Sequence, residues 1–172
     1  IQKANYGGMP VNTAVGFSIL NKGYIGTGVG GIPYNRYDFW EYDPSNDTWT
    51  QKANYPGNGR RHTMGMSING KGYIGLGTDL NGNYNNDIWE YDPTTNTWIA
   101  KQVFPGAGFH SMACFTMNNK GYIGTGYNGA NEMTDFWEYN ANTDTWTIRA
   151  SYSGNARKNA VGYSIGNKGY IA

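Results

Sequence analysis

One octet returns along this chain at an almost constant interval, and that interval limits the fold more than any other feature. Residues 21–28 read NKGYIGTG, residues 70–77 read GKGYIGLG, residues 119–126 read NKGYIGTG, and NKGYIA begins again at residue 167. The lysines Lys22, Lys71, Lys120 and Lys168 stand 49, 49 and 48 residues apart. A second block, DFWEYDP at Asp38, recurs as DIWEYDP at Asp87 and DFWEYNA at Asp135. A third is the pair Thr48-Trp49, Thr97-Trp98 and Thr145-Trp146, so all 6 tryptophans belong to the repeat. A period of this length makes each repeat one supersecondary unit that must stack on its neighbours to bury a core.

Each unit reads as four short strands. The first is VGFSI at Val15–Ile19, matched by MGMSI, ACFTM and VGYSI, with large and small residues alternating at period two. Asn-Lys-Gly or Asn-Gly-Lys-Gly follows as a hairpin turn, and GYIGTG forms the second strand. After a variable loop comes FWEYD, with Trp and Tyr on one face. Asp-Pro-Ser-Asn-Asp or Asp-Pro-Thr-Thr-Asn, with Pro where a type I turn takes it, leads into a fourth strand at Thr-Trp. Four antiparallel strands in about 49 residues make one propeller blade, both of whose faces need a neighbour. That need accounts for Tyr24, Trp40, Tyr42, Trp49 and their copies as packing plates, and for the small Gly16, Gly65, Cys114 and Gly162 on a first strand crowded near the axis. The fold expected is all-β, a kelch-like β-propeller of about three and a half four-stranded antiparallel blades.

GYIGTG, then D-[FI]-W-E-Y-[DN], then T-W resembles the kelch repeat, most closely the galactose-oxidase-like repeats of bacterial exported proteins. The resemblance covers essentially the whole chain. One departure is local: the adjacent glycine pair that usually ends the second kelch strand is here Gly-Thr-Gly or Gly-Leu-Gly. The resemblance implies an extracellular or cell-surface bacterial setting and a ring of more than four blades, commonly six or seven. The 172 residues divide into blades at 9–52, 58–101 and 107–149 and a half blade at 155–172, with 1–4 as the tail of a fourth strand. Strand edges and aromatic faces left bare would be an aggregation hazard. The expected partner is therefore the remaining blades of a longer chain, or a second copy.

Composition removes several function classes. With 13 Lys+Arg against 12 Asp+Glu the net charge is +1, which gives no electrostatic case for nucleic acid or an anionic membrane. Cys114 is the single cysteine, so neither an intrachain disulfide nor a cysteine zinc cluster can form. No apolar run approaches the roughly 20 residues of a membrane span. IQKANYGG is not a signal peptide, so a targeting segment is expected outside this chain.

Whatever recurs in every blade is explained by the blade. Glu41, Glu90 and Glu138, like Asp38, Asp87 and Asp135, are therefore expected to accept backbone or Trp N–H bonds rather than to act as general acids. Function is expected on the variable loops, which share one face: 29–37, 78–86 and 127–134, together with the links GGMPVN, GNGRRH, GAGFH and GNARKN. Ten residues before each repeat lysine stand Asn12, Arg61, His110 and Lys158; if strand alternation extends that far, they line the channel mouth. The alternate set is Val11, Arg60, Phe109 and Arg157. With Tyr34, Arg36, Tyr84 and Tyr127 nearby, this rim could hold an anionic or sugar ligand through guanidinium forks and aromatic platforms.

Two residue sets resemble metal ligands in spacing or type. Asp79, Asn81, Asn83, Asn85, Asp87 and Glu90 fall at calcium-loop spacing. Tyr84, however, occupies the slot where the sharp turn needs Gly, which favours an ordinary Asn/Gly-rich loop. The kelch resemblance includes a copper oxidase, which draws attention to His62, His110 and Cys114. The histidines are one position out of register between blades, which predicts opposite strand sides, and Cys114 replaces a packing Gly. No cofactor is expected. The function expected is a non-catalytic binding or scaffolding propeller for protein or glycan, the alternative being a carbohydrate-active kelch enzyme of the sugar isomerase or oxidase type.

Overall fold

The computed structural model describes residues 1–31 and 36–172. The first blade comprises β1 (Val15–Ile19), β2 (Lys22–Gly26), β3 (Phe39–Asp43) and β4 (Thr48–Gln51). The second comprises β5 (Met64–Ile68), β6 (Lys71–Gly75), β7 (Ile88–Asp92) and β8 (Thr97–Lys101). The third comprises β9 (Ala113–Met117), β10 (Lys120–Gly124), β11 (Phe136–Asn140) and β12 (Thr145–Arg149). A fourth sheet holds β13 (Gly162–Ile165) and β14 (Lys168–Ile171). Each sheet is an antiparallel meander in sequence order, and the four form an open arc. First strands pack on first strands from blade to blade, β1 on β5, β5 on β9 and β9 on β13, so the first strand is innermost.

The second strands stop earlier than the sequence pattern predicts. Thr27, Leu76 and Thr125 carry φ of 60°, 57° and 58°, and the glycines after them 97°, 81° and 104°. A left-handed residue cannot continue a strand, so the chain leaves the sheet at Gly26, Gly75 and Gly124. The amides of Gly28, Gly77 and Gly126 then donate to the carbonyls of Arg60, Phe109 and Arg157 in the following blade, at 2.6, 3.1 and 2.7 Å. The outer turns hold themselves by side chains. Asp43 Oδ1 accepts from the Ser45 amide and Asp92 Oδ1 from the Thr94 amide, each at 2.9 Å. Asn140 does the same for Asn142 at 3.0 Å with no proline in the turn.

Blade-to-blade packing explains the aromatic excess. Tyr24 and Phe39 of the first blade meet Tyr91 and Trp98 of the second, with Phe39 and Tyr91 ring centroids 4.8 Å apart. Phe104 packs edge-on against Trp137 and Trp146 one blade later. The tryptophans of the fourth strands also strap the junctions. Nε1 of Trp49, Trp98 and Trp146 donates to the carbonyl of Ala4, Ala53 and Gln102, at 3.2, 2.9 and 3.2 Å. The amides of those same three residues donate to Asp47, Asn96 and Asp144 at 3.0, 2.9 and 2.9 Å. Tyr42, Tyr91 and Tyr139 hydroxyls meet the same acceptors. Buried tyrosine and tryptophan therefore have their polar tips satisfied, as burial requires.

Candidate binding site on the variable face

Antiparallel bridges tie Asn12 to Val29, Arg61 to Thr78 and His110 to Tyr127. Each joins the link before a first strand to the loop after the second strand of the same blade, so both sets of variable loops lie on one face. Five of the six recurring carboxylates, Asp135 being the exception among the described residues, are committed elsewhere. Asp38 and Asp87 accept from Nε1 of Trp40 and Trp89, both at 2.8 Å. The glutamates differ from the expectation of backbone or Trp N–H partners: Glu41 and Glu90 take Tyr24 and Tyr73 hydroxyls at 2.5 and 2.6 Å. Glu138 takes Lys120 at 2.6 Å and Arg149 at 2.8 Å. Arg149 most of all, with Lys120 and Tyr122, outweighs burial and holds the Glu138 carboxyl down at about 2. Burial pushes Glu41 up, but Lys22, Tyr24 and Lys52 together keep it below its usual range.

Strand alternation does not extend to the links, because one residue per link crosses into left-handed backbone. Thr13, His62, Ser111 and Asn159 have φ of 55°, 55°, 57° and 58°. Their backbones run a hydrogen-bonded course across the blades: His62 N to Thr13 O at 3.3 Å, Ser111 N to His62 O at 3.4 Å, and Asn159 N to Ser111 O at 2.8 Å. This turn reverses the predicted separation of the histidines. The rings of His62 and His110 lie 5.2 Å apart and tilted by 33°. Ser111 joins them, its Oγ 2.7 Å from His110 Nδ1 and 3.3 Å from His62 Nδ1.

A wall of aromatic and basic groups surrounds the pair. Tyr84 stacks on His110 at 5.5 Å and 19°, and Tyr127 tilts against its ring at 5.7 Å. Lys158 Nζ sits 4.7 Å over the Tyr127 ring and 3.8 Å from Glu132. Arg61 Nε reaches Thr78 Oγ1 at 3.4 Å. Burial pulls both imidazoles toward the neutral form, and Arg61 adds to it at His62. At His110 the further contributions come from His62, Arg61 and Lys158.

The remaining site residues named from the sequence are scattered. Arg60 is 3% exposed, pairs with Asp87 at 2.5 Å and donates to Tyr55 at 3.1 Å, inside a blade junction. Phe109 is 1% exposed and belongs to the core beside Phe104. Arg157 lies over the Tyr152 ring at 5.1 Å. Asn12 is exposed at the start of the arc. Arg36 donates to Gly30 O at 3.0 Å and borders a separate cleft of about 440 Å³ with Met9, Asp38, Trp40 and Gln51. Tyr34 lies outside the described residues. The repeat pattern separates His62 from His110 and gives no weight to Ser111 or Glu132; a serine flanked by a histidine in the link and another one repeat earlier is the signal that marks the cluster.

Asp79 holds its own loop rather than an open ligand set. Its Oδ1 accepts the amides of Asn81 and Asn83 at 2.9 Å, and its Oδ2 accepts Asn83 Nδ2 at 2.9 Å. Among the described residues no three His, Cys, Asp or Glu converge as metal ligands. Cys114 Sγ donates to Gly65 O at 3.2 Å, and burial pushes its thiol pKa up, which suits packing rather than nucleophilic work. No helix among the described residues is long and apolar enough to cross a membrane.

The fold defines the class of protein: an all-β propeller built of four-stranded antiparallel blades. Among solved structures 168 chains match it. One of them, YjhT, a kelch-type propeller, superposes with a TM-score of 0.81 at 17% sequence identity. The match covers 94% of this chain and 58% of that one, so this chain spans under two thirds of that structure's length. Identity at that level shows a shared fold and nothing finer. No family model and no curated protein sequence matches the chain.

Proposed function

We propose that this chain is a binding module of the kelch-like propeller type, which presents a protein or glycan ligand-docking surface on its variable face. One observation carries the reading: residues that the repeat does not dictate, Arg61, Tyr84, His110, Tyr127 and Lys158, come together on one side of the arc. They form stacked rings edged by cations, a surface suited to sugar faces and anionic groups. Of the repeated carboxylates, Asp38, Asp87, Glu41, Glu90 and Glu138 are instead tied into Tyr, Trp, Lys and Arg partners of the blades. Glu132, which is not repeated, pairs with Lys158. Architecturally the partner is another blade of the same repeat, from a longer chain or from a second copy.

The test is a glycan array containing neutral and anionic sugars, followed by titration of each hit against the Arg61→Ala/Lys158→Ala double variant. A drop in affinity of tenfold or more, about 1.4 kcal/mol, supports the reading. Unchanged affinity for every hit overturns the placement of the site.

A further inference from the structure

We infer that the imidazole–serine bridge makes this face a proton-coupled oxyanion site, in which His62 and His110 take up protons as a sulfate-like or carboxylate-like group binds beside Arg61 and Lys158. The inference rests on the binding-module reading and adds its ligand chemistry and regulation.

The geometry of the bridge sets the proton count. Ser111 Oγ lies within reach of both Nδ1 atoms, 2.7 Å from His110 and 3.3 Å from His62. A hydroxyl has one hydrogen. With both rings neutral, two arrangements satisfy the bridge: that hydrogen points at one Nδ1 while the other Nδ1 carries its own proton and donates to Oγ, or both Nδ1 atoms carry protons and donate to Oγ while the O–H turns outward. Either way the neutral bridge presents one outward donor, an Nε2–H in the first arrangement and the O–H in the second. When two protons arrive from solvent, both Nδ1 atoms donate to the lone pairs of Oγ. The O–H then points outward, and both Nε2 atoms carry a hydrogen and donate. Protonation thus raises the outward donors from one to three and adds two positive charges, which only an anion can balance.

The surroundings decide the sign. The groups facing the pair are Arg61 from the second link, Tyr84 from the loop after β6, Tyr127 and Glu132 from the loop after β10, and Lys158 from the fourth link. From the first blade come the uncharged Asn12 and Thr13. Glu132 is engaged by Lys158 at 3.8 Å, and Asp79 is turned onto its own loop amides. Two cations against one paired carboxylate disfavour imidazolium while the site is empty. A bound dianion reverses that balance, so binding and protonation are linked in both directions.

Titration calorimetry with inorganic sulfate tests this, because sulfate stays dianionic throughout and any pH dependence belongs to the protein. Measurements at pH 8 and pH 5.5, each in two buffers of different ionisation enthalpy, count the protons taken up. Affinity is expected to rise about tenfold on acidification, with protons absorbed near neutral pH. Galactose 6-sulfate, run in parallel, separates the sources. Tighter binding of the ester assigns a sugar-borne group resting on the tyrosines, and equal binding assigns the free ion; either supports the site when protons are absorbed. The His62→Asn/His110→Asn variant borrows residues already present at the corresponding places, Asn159 and Asn12, and a thermal melt checks its fold. Its affinity is expected to lose the rise on acidification. Sulfate binding without proton uptake, or a variant that keeps the pH slope, overturns the inference and leaves the binding-module reading intact. If neither probe binds at any pH, the inference falls, and the array experiment with Arg61 and Lys158 still decides that reading independently.

Discussion

Thr125 occupies a slot whose three occupants, Thr27, Leu76 and Thr125, solve the same problem differently. All three are buried in left-handed backbone. Leu76 fills the core, and Thr27 Oγ1 meets Thr63 Oγ1 at 3.1 Å. The Thr125 hydroxyl is buried with no partner. Replacing Thr125 by Val keeps the shape and removes an unpaired polar atom, so stability in denaturant is expected to rise by about 1 kcal/mol; an equal loss would mean the hydroxyl has a role. Glu138 offers the opposite case. Its folded pKa, held at about 2 chiefly by Arg149, lies below the ordinary 4.5. Its stabilisation is therefore complete above about pH 4.5 and is lost as pH falls toward 2. Melting temperatures of the parent are expected to drop through that window more steeply than those of Glu138→Gln, and parallel profiles would refute the assignment. At this scale the sequence was legible where residues recur. That Asp38 and Asp87 serve tryptophan N–H groups was legible in the repeated Asp-x-Trp, although the third copy, Asp135 and Trp137, keeps the residues without that bond. The meeting of His62 with His110 was not legible, because it depends on a left-handed residue in each link. Thr, His, Ser and Asn occupy that slot, and nothing in such a set announces its conformation.

At the level of strands and blades the period-two pattern located first and third strands closely, since large–small alternation records which face is buried. It overran the second strands, because Gly-Thr-Gly continues the pattern while Thr27 leaves the sheet geometry. The alternation also has a use that only the junctions display. A Cβ added at Gly72 would stand 2.6 Å from Phe17 Cε2 of the preceding blade, and at Gly121 it would strike Met66 Sδ. At Gly169 it would strike Phe115. Each of these three glycines is thus a socket for one large side chain of the preceding first strand. Gly72→Ala is expected to cost about 1–3 kcal/mol by overpacking. Chemical denaturation of Gly72→Ala, Phe17→Ala and the double variant checks this, and the double variant should be less unstable than the sum of the singles. Additive losses would show that the two do not touch in the way described.

Across the whole arc, three sockets are filled and one of each element is left over. Gly23, the first blade's counterpart of Gly72, has nothing nearer to an added Cβ than Tyr42 Cβ of its own sheet, at 3.8 Å. At the other end Tyr163, the counterpart of Phe17, is 44% exposed, and its neighbour Ile165 is 65% exposed. Val161 and Tyr170 extend the same bare surface. Covering these four side chains against a blade would gain on the order of 1 kcal/mol each, given how much of each is already covered. Association of free molecules costs about 4 kcal/mol or more in lost freedom of motion. The two sums nearly cancel, so the free chain is expected to self-associate weakly and only as concentration rises. In sedimentation experiments its average mass should climb above the 19.0 kDa of one chain, while Tyr163→Lys/Ile165→Lys stays at that mass. A parent that remains at one-chain mass up to millimolar concentration would show that these faces do not pair. The same arithmetic distinguishes the two sources of a covering blade. A blade in the same polypeptide meets Gly23 or Tyr163 at an effective concentration on the order of millimolar, and most of the association cost disappears. Identical contacts that hold two free copies together only weakly would therefore close firmly when covalently joined.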